Sequence, residues 1–264
     1  MAGGSRVSAA IVYDFDGTLA EGNIQEHSLI PSLGIDAADF WNVVKEKSRQ
    51  HDADEVLIYM WWLLEVARNK GVQIRSQVLQ SHGREVPLFP GVVGWFPRIN
   101  PFAADRNLDL RHFVISSGLF EMIEGCPVFG CFERVFASRY IYDEDGAAIW
   151  TGLAINYTTK TQCLFRINKG IGNSWDNEAI NRWVPPTERP IPFSRMIFLG
   201  DGDTDVPTMK MMHHQGGHSV AVFDERKWKQ ASAQDKIGRL IAEDRVHFVA
   251  PANYSEDSQL DVTV

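Results

Sequence analysis

Apolar residues in this chain gather in short unbroken runs rather than alternating with polar ones. Runs at 9–13, 112–115, 134–137, 196–199, 219–223 and 247–249 are rich in β-branched and aromatic residues. Such runs suit strands covered on both faces, because a strand with one wet face alternates. Patterns of helical spacing separate most of them, which predicts parallel strands joined by crossover helices. The fold class expected is therefore α/β, with a doubly wound, mainly parallel sheet.

One stretch departs from that rhythm. Between about residues 21 and 107 the spacing predicts helices and no strand. Ala37, Phe40, Trp41, Val43 and Val44 mark a helix over 36–50. Asp52, with Glu55 three positions on, is expected to cap a second helix. That helix runs through Tyr59, Trp62, Leu63 and Val66 and stops at Gly71. Pro87, Pro90, Gly91, Pro97 and Pro101 are read as punctuating the return to the sheet. So long a helical insert is no ordinary loop, and it predicts two domains: residues 1–20 with 108–264, and residues 21–107.

Composition narrows the partners. With 44% hydrophobic and 23% charged residues among 264, the chain is not wholly disordered. Lys and Arg total 26 against 34 Asp and Glu, a net charge of −8 without a long basic run, so nucleic acid is excluded as a main partner. The longest apolar run, residues 56–64, is far shorter than the ~20 residues that span a bilayer, so no membrane partner is expected. At the amino terminus the apolar stretch ends at Asp14, too early for a secretory leader. Cys126, Cys131 and Cys163 form no C-x-x-C pair and are expected as buried or half-buried thiols of a cytoplasmic protein.

Chemistry concentrates at strand ends. The first strand runs into Asp14-Phe15-Asp16-Gly17-Thr18-Leu19, which delivers two carboxylates to the sheet edge where ligands of open α/β folds bind. A solvated acidic turn would explain a lone D-x-D, but the strand at 196–199 runs into Gly200-Asp201-Gly202-Asp203-Thr204-Asp205. Carboxylates from two strand ends supply the hard oxygen ligands of Mg²⁺. A Ca²⁺ loop is the competing idea, and it fails because Met212 stands where an EF-hand needs Glu. Ser116-Ser117-Gly118 follows another strand and precedes a helical pattern, as an anion site or simply as a helix cap. Lys160 opens a further helical pattern and by itself reads as a surface charge. His213, His214 and His218 are read as exposed imidazoles of a turn, and Trp61-Trp62 as a packing contact.

Taken together, Asp14-x-Asp16-Gly-Thr-Leu, Ser116, Lys160 and Gly200-Asp201-Gly202-x-x-Asp205 resemble, in order, the four motifs of the haloacid dehalogenase-like superfamily. Val135-Phe136-Ala137-Ser138-Arg139 with Asp145-Gly146, and Asp205-Val206-Pro207, are similar to its phosphoserine-phosphatase branch. The resemblance implies a Rossmann-like core, a helical cap at 21–107, and Mg²⁺-dependent hydrolysis of a small-molecule phosphate monoester. It implies that Asp14, Asp201, the Asp16 carbonyl and Asp205 hold the metal, and that Ser116, Ser117, Gly118 and Lys160 bind the phosphoryl group. Asp14 would be the nucleophile, Asp16 the general acid and base, and Lys160 a catalytic cation. An acid at position 16 points away from the dehalogenases and phosphonatases of the superfamily. A phosphomutase and a non-catalytic binding protein are the alternatives. Where phosphoserine phosphatases carry a substrate-gripping Glu, this chain has Asn23, with Glu26 three residues on, which weakens the case for phosphoserine itself. Gln25, Glu26, His27, Arg49 and Trp62 are cap-side positions with simpler packing or solvent-facing readings.

Overall fold

Buried strands need both faces covered, and the computed structural model shows how this chain meets that need. It describes residues 6–202 and 204–264; residues 1–5, on which the reading of the amino terminus partly rests, and Asp203 lie outside the described residues. Strand β1 (Val7–Tyr13) leads to α1 (Ile24–His27), α2 (Leu29–Ser32), α3 (Ala37–His51), α4 (Glu55–Asn69), α5 (Ser76–Arg84) and α6 (Val92–Ala104). Then come β2 (Leu108–Leu119), α7 (Phe120–Gly125), β3 (Arg134–Tyr142), β4 (Ala148–Leu153), α8 (Thr159–Lys169) and α9 (Asn177–Asn181). The chain closes with β5 (Met196–Gly200), α10 (Val206–His214), β6 (His218–Phe223), α11 (Ala231–Ala242), β7 (Phe248–Pro251) and α12 (Gln259–Thr263).

The seven strands form one sheet in the order β4-β3-β2-β1-β5-β6-β7. Every pairing is parallel except β3 with β4. Ile11 and Tyr13 enter one hydrophobic core and Ala10 and Val12 the other, so each β1 face is buried. That is why the run shows no polar alternation. The register sets Tyr13 opposite Val114 of β2 and Leu199 of β5. All three strands therefore leave the sheet along one edge.

Several local expectations are corrected. Asp54, not Asp52, caps α4, its carboxylate accepting from the Val56 and Leu57 N–H groups at 2.9 and 3.1 Å. Asp52 instead closes α3 in the left-handed conformation with φ 48°, a geometry that Asp tolerates better than most residues. Pro97 and Pro101 lie inside α6 rather than before the sheet. An interior proline costs roughly 3 kcal/mol or more, and here the burial of Val92, Trp95 and Phe96 along the same helix offsets it. Ser116-Ser117-Gly118 is neither loop nor helix cap, because β2 continues to Leu119 with a register shift against β3 between Ser116 and Leu119. Strand β4 was not predicted; as an edge strand with Ile149 and Trp150 exposed it lacks a buried run. Cys131 is exposed, whereas Cys126 and Cys163 are buried, and all three are free. Among the described residues no helix is long and apolar enough to cross a membrane.

Helix α6, although inside the 21–107 segment, packs on the sheet through a buried polar chain. Trp95 Nε1 donates to the Tyr13 hydroxyl at 2.8 Å, and that hydroxyl lies 3.0 Å from His112 Nδ1. His112 Nε2 lies 2.7 Å from Asn100 Oδ1, so the neutral ring that accepts at Nδ1 and donates at Nε2 satisfies every group. Burial pushes the His112 pKa down to about 4, consistent with that neutral form.

Candidate active site

The carboxyl edge of β1, β2 and β5 collects the acidic motifs. Asp14 follows directly on β1, and its N–H still donates to the Leu199 carbonyl at 2.8 Å. Its side chain is only 4% exposed, with Oδ1 accepting from the Phe15 N–H at 2.8 Å. Gly17 then turns the chain with φ +70°, and a Cβ there would meet Asp201 Oδ2 at 2.8 Å. The missing side chain is what lets the Asp201 loop close on the Asp14 loop. Oxygens of Asp14, Asp201 and Asp205 all lie within 4.8 Å of one another. Asp203 shares this loop but lies outside the described residues.

Lys160 joins the two ends. The Asn156 side chain accepts from the N–H groups of Thr158 and Thr159 at 3.0 and 2.9 Å, which starts α8 and fixes Lys160 in its first turn. The Lys160 ammonium is fully buried, 3.0 Å from Asp14 Oδ1 and 2.7 Å from Asp205 Oδ1, and also donates to Thr204 Oγ1 at 3.0 Å. Burial pushes its pKa down, but the two carboxylates overbalance that effect and hold it above the ordinary lysine value. A lysine read alone as a surface charge is thus the buried counter-ion of the site.

Asp16 faces the other way. Its Oδ1 accepts from the Ile24 N–H at 3.1 Å, and a Cβ on Gly118 would come within 2.9 Å of its Oδ2. Glycine at 118 therefore lets the end of β2 press against Asp16. Burial raises the Asp16 pKa to about 7, with Asp201 and Glu26 adding to the rise. Burial and the neighbouring Asp205 charge likewise raise Asp14 well above the ordinary carboxylate range. Ser116 Oγ accepts from the Gly118 N–H at 2.9 Å, whereas Ser117 Oγ is buried with no hydrogen-bond partner among the described residues.

The donor set fits a divalent cation. Asp14, Asp201 and Asp205 pair with two ammonium groups, Lys160 and Lys236, the latter 3.1 Å from Asp201 Oδ2. Uncompensated buried carboxylates are costly, and hard, acidic oxygens at this spacing suit Mg²⁺. The Asp16 carboxylate stands outside the three-carboxylate group.

Sequence reasoning missed two neighbours, Tyr59 and Lys236, and left Gln25 and Glu26 aside as cap-side positions. The Tyr59 hydroxyl of α4 donates to the Ser117 carbonyl at 2.8 Å, and Gln25 is buried beside Gly118. Tyr59 lies in an apolar run, and Lys236 is separated from Asp201 by helix α10, strand β6 and the first half of α11, so neither carried a signal. Glu26 lines the cavity beside Asp16, its Oε1 accepting from Asn23 Nδ2 and Trp41 Nε1, each at 2.6 Å. Arg49 is exposed, and Trp61 and Trp62 lie under the Lys47 ammonium at 5.2 and 4.8 Å from their ring centres. His214 and His218 are exposed as expected, whereas His213 is half-buried with its ring 4.6 Å from that of His247. Among the described residues only the three aspartates bring three metal-ligating groups that close.

Comparison with known proteins fits this geometry. The chain matches the haloacid dehalogenase-like hydrolase family over residues 11–210. An uncharacterized protein of Borreliella burgdorferi is 25% identical over 275 residues, covering 95% of this chain and 93% of that protein. A phosphoserine phosphohydrolase-like protein from Francisella tularensis superposes with a TM-score of 0.53 at 17% identity, covering 92% of this chain and 94% of that one. A substrate-bound phosphoserine phosphatase gives a TM-score of 0.56 at 13% identity, covering 95% and 94%. At such identities the structural likeness concerns the fold. The family match spans most of the chain, from the strand before Asp14 to the helix after Asp205, and this protein belongs to the haloacid dehalogenase-like hydrolases.

Proposed function

We propose that this hydrolase is a Mg²⁺-dependent phosphatase that cleaves a small-molecule phosphate monoester through a phosphorylated Asp14. The observation that carries the reading is the meeting of Asp14, Asp201 and Asp205 within 4.8 Å, with Lys160 bridging the first and last. The fold shared with phosphoserine phosphatase supports a phosphate ester as substrate. The three free thiols support a reducing, cytoplasmic setting. Residues 1–20 and 108–264 are assigned to the core and 21–107 to a cap, with Tyr59 tying α4 to the end of β2 at Ser117.

Asp14, Asp201, Asp205 and the Asp16 carbonyl would hold Mg²⁺, which when bound supplies positive charge to the oxygens of a phosphate dianion. Lys160, 3.0 Å from Asp14, adds a fixed cation on the same side. Ser117 Oγ, buried and unpartnered, gains a hydrogen-bond acceptor when a phosphoryl oxygen arrives, and Ser116 and the Gly118 backbone flank it. An Asp14 oxygen then attacks phosphorus as the bond to the leaving oxygen breaks. Asp16, held near 7 by burial, carries the proton that the leaving alkoxide takes. The resulting Asp16 carboxylate accepts a proton from the water that attacks the Asp14 phosphate, which releases inorganic phosphate and restores both side chains.

A phosphate-release screen over a panel of phosphometabolites with Mg²⁺, repeated with EDTA, tests the reading. Release from some members, abolished by EDTA, is the expected result. No release from any member, or release indifferent to chelation, overturns it; isomerised sugar phosphate without free phosphate would instead indicate a phosphomutase.

A further inference from the structure

A cavity of about 510 Å³ opens beside Asp16 and Asp201, and both acidic and basic side chains line it. Glu26 stands on one side, while Lys227, Lys236 and Arg239 come from the segment after β6 and from α11. The acidic side is already engaged, because Glu26 Oε1 accepts from both Asn23 and Trp41. Asp224, which also lines the cavity, is clamped by Arg226 through two 2.8 Å contacts, and Arg226 also pairs with Glu21 at 2.9 Å. Lys236 is held at Asp201. Lys227, whose charge helps to hold the Asp224 carboxyl low, and Arg239 form no ion pair among the described residues, and the Arg239 guanidinium donates to the Asp235 carbonyl of its own helix.

Two exposed cations therefore line the cavity that opens beside Asp16, in a chain whose net charge is −8. A neutral leaving group gives them no partner, whereas a carboxylate or a second phosphate does. We infer that the substrate is a phosphate monoester whose leaving group carries a second anionic group, bound by Lys227 and Arg239. The inference rests on the phosphatase reading for its chemistry, but the binding preference it requires stands apart from turnover.

The test has two arms. The first measures kcat/KM for phosphoglycolate and fructose 1,6-bisphosphate against glucose 6-phosphate and p-nitrophenyl phosphate. In Lys227→Ala and Arg239→Ala the ratio of anionic to neutral esters is expected to fall about tenfold through KM, the worth of one charge-assisted hydrogen bond at a solvated rim. Lys227→Arg should restore it, and Lys227→Glu should reverse the preference. The second arm compares calorimetric binding of 3-phosphonopropionate and ethylphosphonate to the Mg²⁺-loaded protein, with no turnover involved. Tighter binding of the carboxylated compound, lost in the double alanine variant, supports the inference even if no ester is hydrolysed, in which case the phosphatase reading alone fails. A wild type that binds both phosphonates alike, or neither, overturns the inference, as does an ester ratio unmoved by the substitutions.

Discussion

At Asp14 and Asp16 two like side chains, two positions apart, meet different surroundings, and the proposed mechanism gives them different roles. Asp14 shares Lys160 with Asp205, whereas Asp16 is buried against Gly118 and Ile24. Asp14→Asn is expected to abolish phosphate release, and Asp16→Ala to lower kcat by about two to four orders of magnitude while phosphate still binds. Steady-state kinetics with a phosphate-inhibition measurement separate the two, and an Asp14→Asn protein with wild-type turnover would refute the assignment. Lys160→Met should destabilise the metal-free protein by about 3–5 kcal/mol in urea unfolding, because it strands two buried carboxylates; a loss below about 1 kcal/mol would show that they are not held by this cation. These aspartates were legible in the sequence because the chemistry needs their type at the end of a strand. Tyr59 was not, since a tyrosine inside an apolar stretch looks like packing until the fold sets its hydroxyl against Ser117, and Gln25 was named only as a cap-side position until burial beside Gly118 singled it out.

Among the elements, the buried strands were the most legible and the edge the least. Strands β1, β5 and β6 match the apolar runs to within a few residues, because burial on both faces removes most polar interruptions, whereas β3 starts where expected and runs on through Ser138 and Arg139 to Tyr142. Strand β4 carries half-exposed residues, and only the Asp145-Gly146 pair, with Gly146 at φ +77°, marked the hairpin before it. Helix α6 was hidden by its prolines, yet it is fixed to the sheet by Trp95, Tyr13, His112 and Asn100. That chain makes stability depend on pH. His112 is lowered from 6.5 to about 4 in the fold, so the unfolded chain binds the proton more readily between those values. Its contribution is complete above about pH 6.5 and is lost as the pH falls toward 4, amounting to about 2 kcal/mol at pH 5. Urea midpoints at pH 7.5 and pH 5 should therefore differ less in His112→Gln than in the wild type; an identical difference would remove His112 from the account.

Across the whole molecule, the sheet order brings distant parts of the chain to one edge. With β1 between β2 and β5, the ends of three strands meet, so residues 14, 118 and 201 become neighbours. The motif order suggested this convergence, but the cationic wall of α11 depends on how that helix returns over β6, which no local pattern encodes. The central claim is that Asp14 is the phosphoryl acceptor within a divalent-cation site shared with Asp201. A crystal structure grown with Mg²⁺ and beryllium fluoride, a mimic of a phosphorylated carboxylate, tests it most directly. The account predicts a fluoroberyllate bonded to an Asp14 oxygen beside a Mg²⁺ ion ligated by Asp14 and Asp201. Beryllium on another side chain, or Mg²⁺ bound away from both aspartates, would contradict it.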